Sequence, residues 1–422
     1  AQIDTAVRRV LEAKYKLGLF SDPYRYCNVK RGKTDMYTSD SRKAARDMAA
    51  ETFVLLKNDN NILPLKRQGT IALVGPLADT RNNIPGTWCF AYKPELYSTI
   101  KESMQRYLGN SAKLVYAQGS NIYADSTMQA NASFGKTIKW GDSKKMLDEA
   151  VEAAKSSDVV VACLGELAEM SGESSTRTNL NLPDVQKNLL KALLATGKPV
   201  VLLNFSGRPT ILTWESQNVP AIMNVWFGGS ETGDALCDVL FGDKVPTGKL
   251  VNTLPRSMGQ IPIFYNHLSG SRDIPDGSCS FRKYQSNYID ETTGPLYPFG
   301  YGLSYTTYKY SDVSLSAPSM SKEGKVTATV NVTNTGDRDG DEVVEFYIHG
   351  KTSHIVRPVK ELKGFQRVHI AKGETKTISF DIDANTLNYL DAEGKPFLDP
   401  GDFEIMIGPN SRDVKTAELR VD

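Results

Sequence analysis

The sequence predicts an α/β plus all-β protein: a mainly parallel, doubly wound α/β sandwich followed by a smaller β-sandwich. Between about 42 and 255, short Val/Ile/Leu runs alternate with helical stretches, the pattern of parallel strands covered on both faces. After residue 300 the pattern changes to period-two strands separated by turn signals, as in antiparallel sandwiches. A length of 422 residues accommodates about two or three domains.

Residues 1–20 place Ile3, Val7, Val10, Leu11, Tyr15 and Leu17 near helical spacing, and Gly18 supplies the stop. This helix opens the chain with neither cap nor leader and has no partner before it, so a larger amino-terminal part is expected to precede it. Residues 21–41 are rich in turn formers and read as a linker. A helix over roughly 41–57 leads to a buried strand, TIALVG, at 70–75. A helix at 95–108 precedes AKLVYA at 112–117, and another at 143–156 precedes DVVVACLG at 158–165. The helix at 184–196 leads to KPVVLLNF at 198–205, with VPAIMNVWF at 219–227 as the next strand. A last helix, 231–241, comes before GKLVNTLP at 248–255. Residues 118–142 break the rhythm, and long insertions of this kind are often functional.

In the remainder, strands are expected at 325–334, 342–350, 375–382 and 403–408, with NTGD, AKGE, AEGK and LDPGD as turns. Alternation and turn spacing are those of an immunoglobulin or fibronectin type III sandwich. The expected division is 1–41, an α/β domain over 42–263, a linker over 264–300 and the sandwich over 301–422.

Lysine plus arginine number 50 against 49 acids, a balance that gives no long-range field for nucleic acid or an anionic membrane. No apolar run approaches the roughly 20 residues of a membrane span. Five widely spaced cysteines (27, 89, 163, 237 and 279) show no CxxC pair, and four histidines show no ligand spacing, so neither a disulfide framework nor a metal site is expected. Cys163 and Cys237 fall in apolar elements and read as core fillers. Cys27, Cys89 and Cys279 fall in loop-like sequence, where one bridge is compatible with the spacing. LVGPLAD after the first strand has one glycine, without the ladder of a dinucleotide or phosphate loop, and no G-x-S-x-G elbow is present. No cofactor is expected.

The segment GELAEMSGESSTRTNLNLP at 165–183 carries the strongest functional signal. It follows a continuous apolar strand, and open α/β sheets place ligands at the carboxyl ends of such strands. Glu166, Glu169 and Glu173 lie within eight residues, with Arg177 behind them. A partly desolvated glutamate can hold a proton nearer neutral pH and act as a general acid. Composition alone would favour a solvated acidic loop.

Several motifs together alter that balance. AARDMAAETFVLLKNDNNILPL at 44–65 and ALVGPLAD at 72–79 resemble the start of the α/β sandwich domain of glycoside hydrolase family 3. The resemblance continues through GKPVVLLNFSGRPTIL (197–212), WFGGSETGDALCDVLFGDKVPTGKL (226–250), TLPRSMGQIPIFYNH (253–267) and LYPFGYGLSYT (296–306). RPVKELKGFQRV at 357–368 is similar to the family's fibronectin type III domain, and the first helix to the last helix of its barrel domain. The match covers essentially the whole chain and is most like the periplasmic β-glucosidase branch.

The resemblance implies a retaining glycosidase, periplasmic or secreted, acting on glycosides or oligosaccharides through two carboxyl groups about 5–5.5 Å apart. The family nucleophile is an aspartate in a Ser-Asp-Trp-like motif on the barrel, and no Asp-Trp pair occurs in this sequence. The acid/base is a glutamate on the sandwich-domain loop. Counting back from the Asn-Leu-x-Leu-Pro run gives Glu173 as that residue, Glu169 as second choice and Glu166 as structural. Arg177 is expected to orient a carboxylate or a sugar hydroxyl through its planar fork, or to lie at the surface. If Glu173 is the acid, Arg177 should be offset from it, because a close cation favours the ionised form. Trp88 is a candidate for stacking on a sugar face, against a packing role. Tyr297 and Phe299 are expected to anchor the domain junction, and His354 is given no role. The alternative to catalysis is a carbohydrate-binding or scaffolding module of the same fold.

Overall fold

The computed structural model describes the chain except residues 90–92, 133–136, 271, 273, 275–276 and 278–281. It divides into two compact units, Ala1–Asp47 and Met48–Asp422. The first contains α1 (Gln2–Lys16), α2 (Arg31–Thr34) and the start of α3 (Ser39–Thr52). Helix α1 ends where Gly18 turns to a φ of 71° and its N–H bonds the Tyr15 carbonyl at 2.8 Å. Its apolar stripe, Ile3, Val7, Leu11 and Tyr15, is exposed.

The second unit begins with β1 (Val54–Asn58), β2 (Thr70–Val74), α4 (Ile100–Leu108), β3 (Lys113–Ala117), α5 (Ser126–Asn131), α6 (Ser143–Lys155) and β4 (Val159–Gly165). Then follow α7 (Asp184–Leu194), β5 (Val200–Phe205), α8 (Thr213–Asn218), β6 (Ala221–Asn224) and α9 (Thr232–Leu240). The sheet order is β1-β6-β5-β4-β2-β3, parallel except for β1. Ala49 and Ala50 at the end of α3, with α4 and α9, pack on one face, and α6, α7 and the start of α8 on the other. Among β2 to β6 the order is β3-β2-β4-β5-β6, so successive connections leave β2 in opposite directions. The carboxyl ends of β2 and β4 therefore flank the switch point where such sheets form a crevice.

Strand β1 corrects the helix expected over 41–57. Helix α3 stops at Thr52, and Val54, Leu55 and Leu56 become fully interior in an antiparallel edge strand, with Val54 opposite Asn224. Four successive apolar residues, 53–56, leave no polar face for a helix to show to water. The strand expected at 219–227 narrows to β6, because Trp226 turns to a φ of 57°. The run at 248–255 forms no ladder; Leu250 and Leu254 instead donate to the Tyr301 and Tyr297 carbonyls at 2.8 and 2.9 Å. Cys27, Cys89, Cys163 and Cys237 form no disulfide among the described residues; the bridge considered for Cys279 lies outside them.

The rest is a β-sandwich. One sheet joins β7 (Tyr308–Tyr310), β8 (Ser314–Leu315), β10 (Val326–Asn334) and β13 (Thr375–Ile382). The other has β9 (Ser319–Met320), β11 (Gly340–Gly350), β12 (Glu361–Ile370), β16 (Gly401–Gly408) and β17 (Lys415–Val421). A small pair, β14 (Tyr389–Leu390) and β15 (Pro396–Phe397), lies apart. Strand β10 turns Val326, Ala328, Val330 and Val332 inward, against Phe346 and Ile348 of β11 and Ile405 and Ile407 of β16. The outer side of β11 is covered too: Lys249 Nζ lies 3.5 Å from Glu342, and Tyr265 packs edge-on against Tyr347. Tyr297 belongs to the α/β core, whereas Phe299 stacks near Tyr265 and accepts the Ser411 N–H at 2.9 Å. Among the described residues, no helix is long and apolar enough to cross a membrane.

Candidate active site

The acidic loop leaves β4 at Gly165, whose φ is 134°. A Cβ there would fall 2.0 Å from the Phe205 carbonyl oxygen, so glycine lets the loop start while β4 remains paired to β5. The fully buried Gln186 of α7 fixes this point, accepting from Gly165 N–H at 2.8 Å and donating to its carbonyl at 3.0 Å.

The three acids meet different surroundings. Glu166 is 1% exposed. Its Oε1 accepts from Arg177 Nη1 at 2.6 Å and lies 3.3 Å from Arg208 Nε, while Oε2 accepts the Gly207 N–H at 3.2 Å. A carboxylate so placed faces two cations and a backbone donor, which together oppose the penalty of burying it. Glu169 is half-buried on the 3-10 turn Ala168–Met170. Glu173 is exposed, between Gly172 at φ 102° and Ser174 at φ 58°, and its side chain forms no hydrogen bond or ion pair among the described residues. Arg177 is committed to Glu166 and, through Nη2, to the Asn181 carbonyl at 3.0 Å. It is thus paired away from Glu173.

Two neighbouring loops close on this one. After β2, Asn83 Oδ1 accepts the Ala168 N–H at 3.2 Å, and the Thr87 hydroxyl donates to the carbonyls of Ala168 and Ser171, the latter at 2.8 Å. Trp88 follows directly and is 64% exposed. From the 118–142 insertion, Tyr123 comes within the field of Arg177, Glu169 and Glu166; burial pushes its hydroxyl pKa up, Arg177 pulls against that, and the acids add to it. The insertion is held by its own amides: Gln129 accepts from Ile122 N–H at 3.0 Å and donates to the Ile138 carbonyl at 3.1 Å. Asn121 pairs reciprocally with the Gly141 backbone at 3.0 and 3.1 Å.

Arg208, Asn83, Thr87 and Tyr123 belong to the candidate site and were not singled out in the sequence. Arg208 lies in NFSGRP, directly beyond β5, and adjacent parallel strands deliver their loops to the same rim; that was the available signal. His354 lies in the sandwich, its Nδ1 against Asp399, which also accepts from Tyr389 Oη at 2.6 Å. Among the described residues, no group of His, Cys, Asp or Glu is arranged to hold a metal.

Residues 53–305 match the glycosyl hydrolase family 3 C-terminal domain, and residues 342–411 match a fibronectin type III-like domain. The chain belongs to glycosyl hydrolase family 3. It is 46% identical to the periplasmic beta-glucosidase of Salmonella typhimurium, across 100% of this chain and 56% of that one. It is 38% identical to a beta-xylosidase of Formosa agariphila, across 99% and 55%. The crystal structure of a beta-glucosidase from Listeria innocua in complex with gluconolactone superimposes with a TM-score of 0.86 at 32% identity, across 99% of this chain and 54% of that one. This family 3 chain therefore spans about half the length of the relatives it matches. Those relatives are glycoside hydrolases.

Proposed function

We propose that this chain is the acid/base-bearing part of a retaining glycosidase for β-linked glucosides or related oligosaccharides, with Glu173 as general acid/base. The observation that carries the reading is the division among the three acids. Glu166 is consumed by two arginines, whereas Glu173 stands exposed at the apex of an anchored loop beside the switch-point crevice. The nucleophilic aspartate is assigned to an amino-terminal barrel domain joined to this chain, in keeping with the share of its relatives' length that the chain covers. The name of the Salmonella relative supports a periplasmic or secreted location.

In this scheme the barrel aspartate attacks the anomeric carbon while the Glu173 carboxyl gives its proton to the departing glycosidic oxygen. The resulting Glu173 carboxylate then takes a proton from the water that releases the sugar from the aspartate. Trp88 offers an apolar face and Arg177 a fixed donor array at the margin of the same loop.

In the barrel-joined protein, Glu173→Gln should lower kcat/KM on natural disaccharides by about 10²–10⁴-fold, with a far smaller loss of kcat/KM on activated aryl glycosides. On the latter kcat falls, because the base for the second step is gone. For Glu173→Ala, azide should restore turnover of activated substrates and yield the β-glycosyl azide, since azide needs no base to deprotonate it. An unchanged rate on disaccharides would transfer the role to Glu169 or favour a binding module. The isolated chain should not be labelled covalently by a fluoro-glycoside inactivator; stoichiometric labelling would overturn the placement of the nucleophile.

A further inference from the structure

We infer that Arg208 is a positioning residue for the acid/base loop: one guanidinium fixes the separation of the two feet between which Glu173 is carried. Its Nη2 donates to the carbonyl oxygens of both Met170 and Ser175, the latter at 2.6 Å. Those two residues bracket the turn at 171–174. Its Nε lies 3.3 Å from Glu166 Oε1, and that carboxylate is buried and held in turn by Arg177 and the Gly207 amide. Every contact is to a fixed group: two main-chain carbonyls and one immobilised acid.

The segment carrying Arg208 is itself fitted under the loop. A Cβ on Gly207 would fall 2.0 Å from Ser171 Oγ, so the backbone after β5 touches the first residue of the turn. The Ser206 hydroxyl accepts no role in the loop but donates to the Arg208 carbonyl at 2.9 Å, tying Arg208 to the end of the strand. Thus the position of Glu173 is referenced to β5 as well as to its own strand, β4. Lysine cannot reproduce this arrangement, since it has no second nitrogen to face Glu166 while the first bonds the two carbonyls. Arg208 touches neither Glu173 nor the crevice in these contacts, so its effect on chemistry passes through the loop.

This inference rests on the assignment of the loop as the acid/base loop, and the test separates the two. In the barrel-joined protein, Arg208→Lys keeps a cation beside Glu166 while releasing at least one foot. A displacement of about 1 Å can lower a rate about 10²-fold. We expect kcat/KM on unactivated glycosides to fall about 10–10²-fold and kcat/KM on dinitrophenyl glycosides to stay nearly constant. Gly207→Ala, which pushes on Ser171 without altering Arg208, should give the same leaving-group signature. For Arg208→Ala, guanidinium ion should restore part of the rate on unactivated substrates only. Equal losses of kcat/KM on both substrate classes, or no loss in either variant, would overturn the positioning role. If Arg208→Lys shows the leaving-group signature and Glu173→Gln does not, Arg208 stands and Glu173 fails as the acid.

Discussion

At the scale of single residues, Glu166 and Glu173 show how position separates identical side chains. Glu166 sits one residue past the strand, where the Phe205 carbonyl takes its N–H at 2.7 Å and two arginines reach its carboxylate. Removing that charge leaves Arg177 and Arg208 facing each other at a buried point, so Glu166→Ala should destabilise the fold by about 3 kcal/mol, read from urea unfolding. Glu173→Ala should leave the unfolding midpoint nearly unchanged, as expected of an exposed residue away from any structural contact. Gly165→Ala combines a positive φ with a Cβ 2.0 Å from the Phe205 carbonyl oxygen. It should be destabilised by at least about 2 kcal/mol and lose the loop along with the end of β4. Near-wild-type stability would mean that β4 and β5 separate there freely.

At the scale of elements, the 118–142 insertion is stabilised by amide side chains where a regular element would use its backbone. Gln129 is 3% exposed and satisfies two buried main-chain groups. Gln129→Ala strands both and should lower stability by about 1–3 kcal/mol, with faster amide hydrogen exchange at 122 and neighbouring positions. The inner parallel strands were legible in sequence, because strands buried on both faces must be unbroken apolar runs, such as VVVACLG and VVLLNF. Strand β1 was not, because its apolar run abuts α3 without a breaker and only pairing with β6 decides its conformation. Strand β12, ELKGFQRVHI, was hidden by its polar outward residues, and β17, KTAELRV, likewise. The acidic loop was legible as a location. The engagement of Glu166 by arginines 177 and 208 was not, since Arg208 is 42 positions away and its approach depends on the β4–β5 pairing.

At the scale of the molecule, the α/β part and the sandwich meet over ionisable groups that are poorly hydrated. Burial pushes the Glu345 carboxyl up from 4.5 to about 7, opposed by Tyr347 and Lys249, and Glu342 is raised in the same direction, chiefly by burial. Between pH 4.5 and about 7 the folded protein retains a proton on Glu345 that the unfolded chain has released, so stability falls as pH rises through that window and levels off above it. The contribution is on the order of 1–3 kcal/mol. Urea midpoints should be higher at about pH 5 than at about pH 8, and Glu345→Gln should flatten that difference. A midpoint that rises across the window would contradict the assignment. The measurement also reports on Gly300, where a Cβ would fall 2.2 Å from Glu345 Oε2: any side chain there should disturb the same titration.

Around the turn at 171–174, the fittings of the acidic loop grip main-chain oxygen. Thr87 holds the carbonyls of Ala168 and Ser171, and Arg208 holds those of Met170 and Ser175. Such a mount is blind to the side chains it carries. The tip can be re-cut, lengthened or recharged between fixed sockets without rebuilding the sheet that bears it.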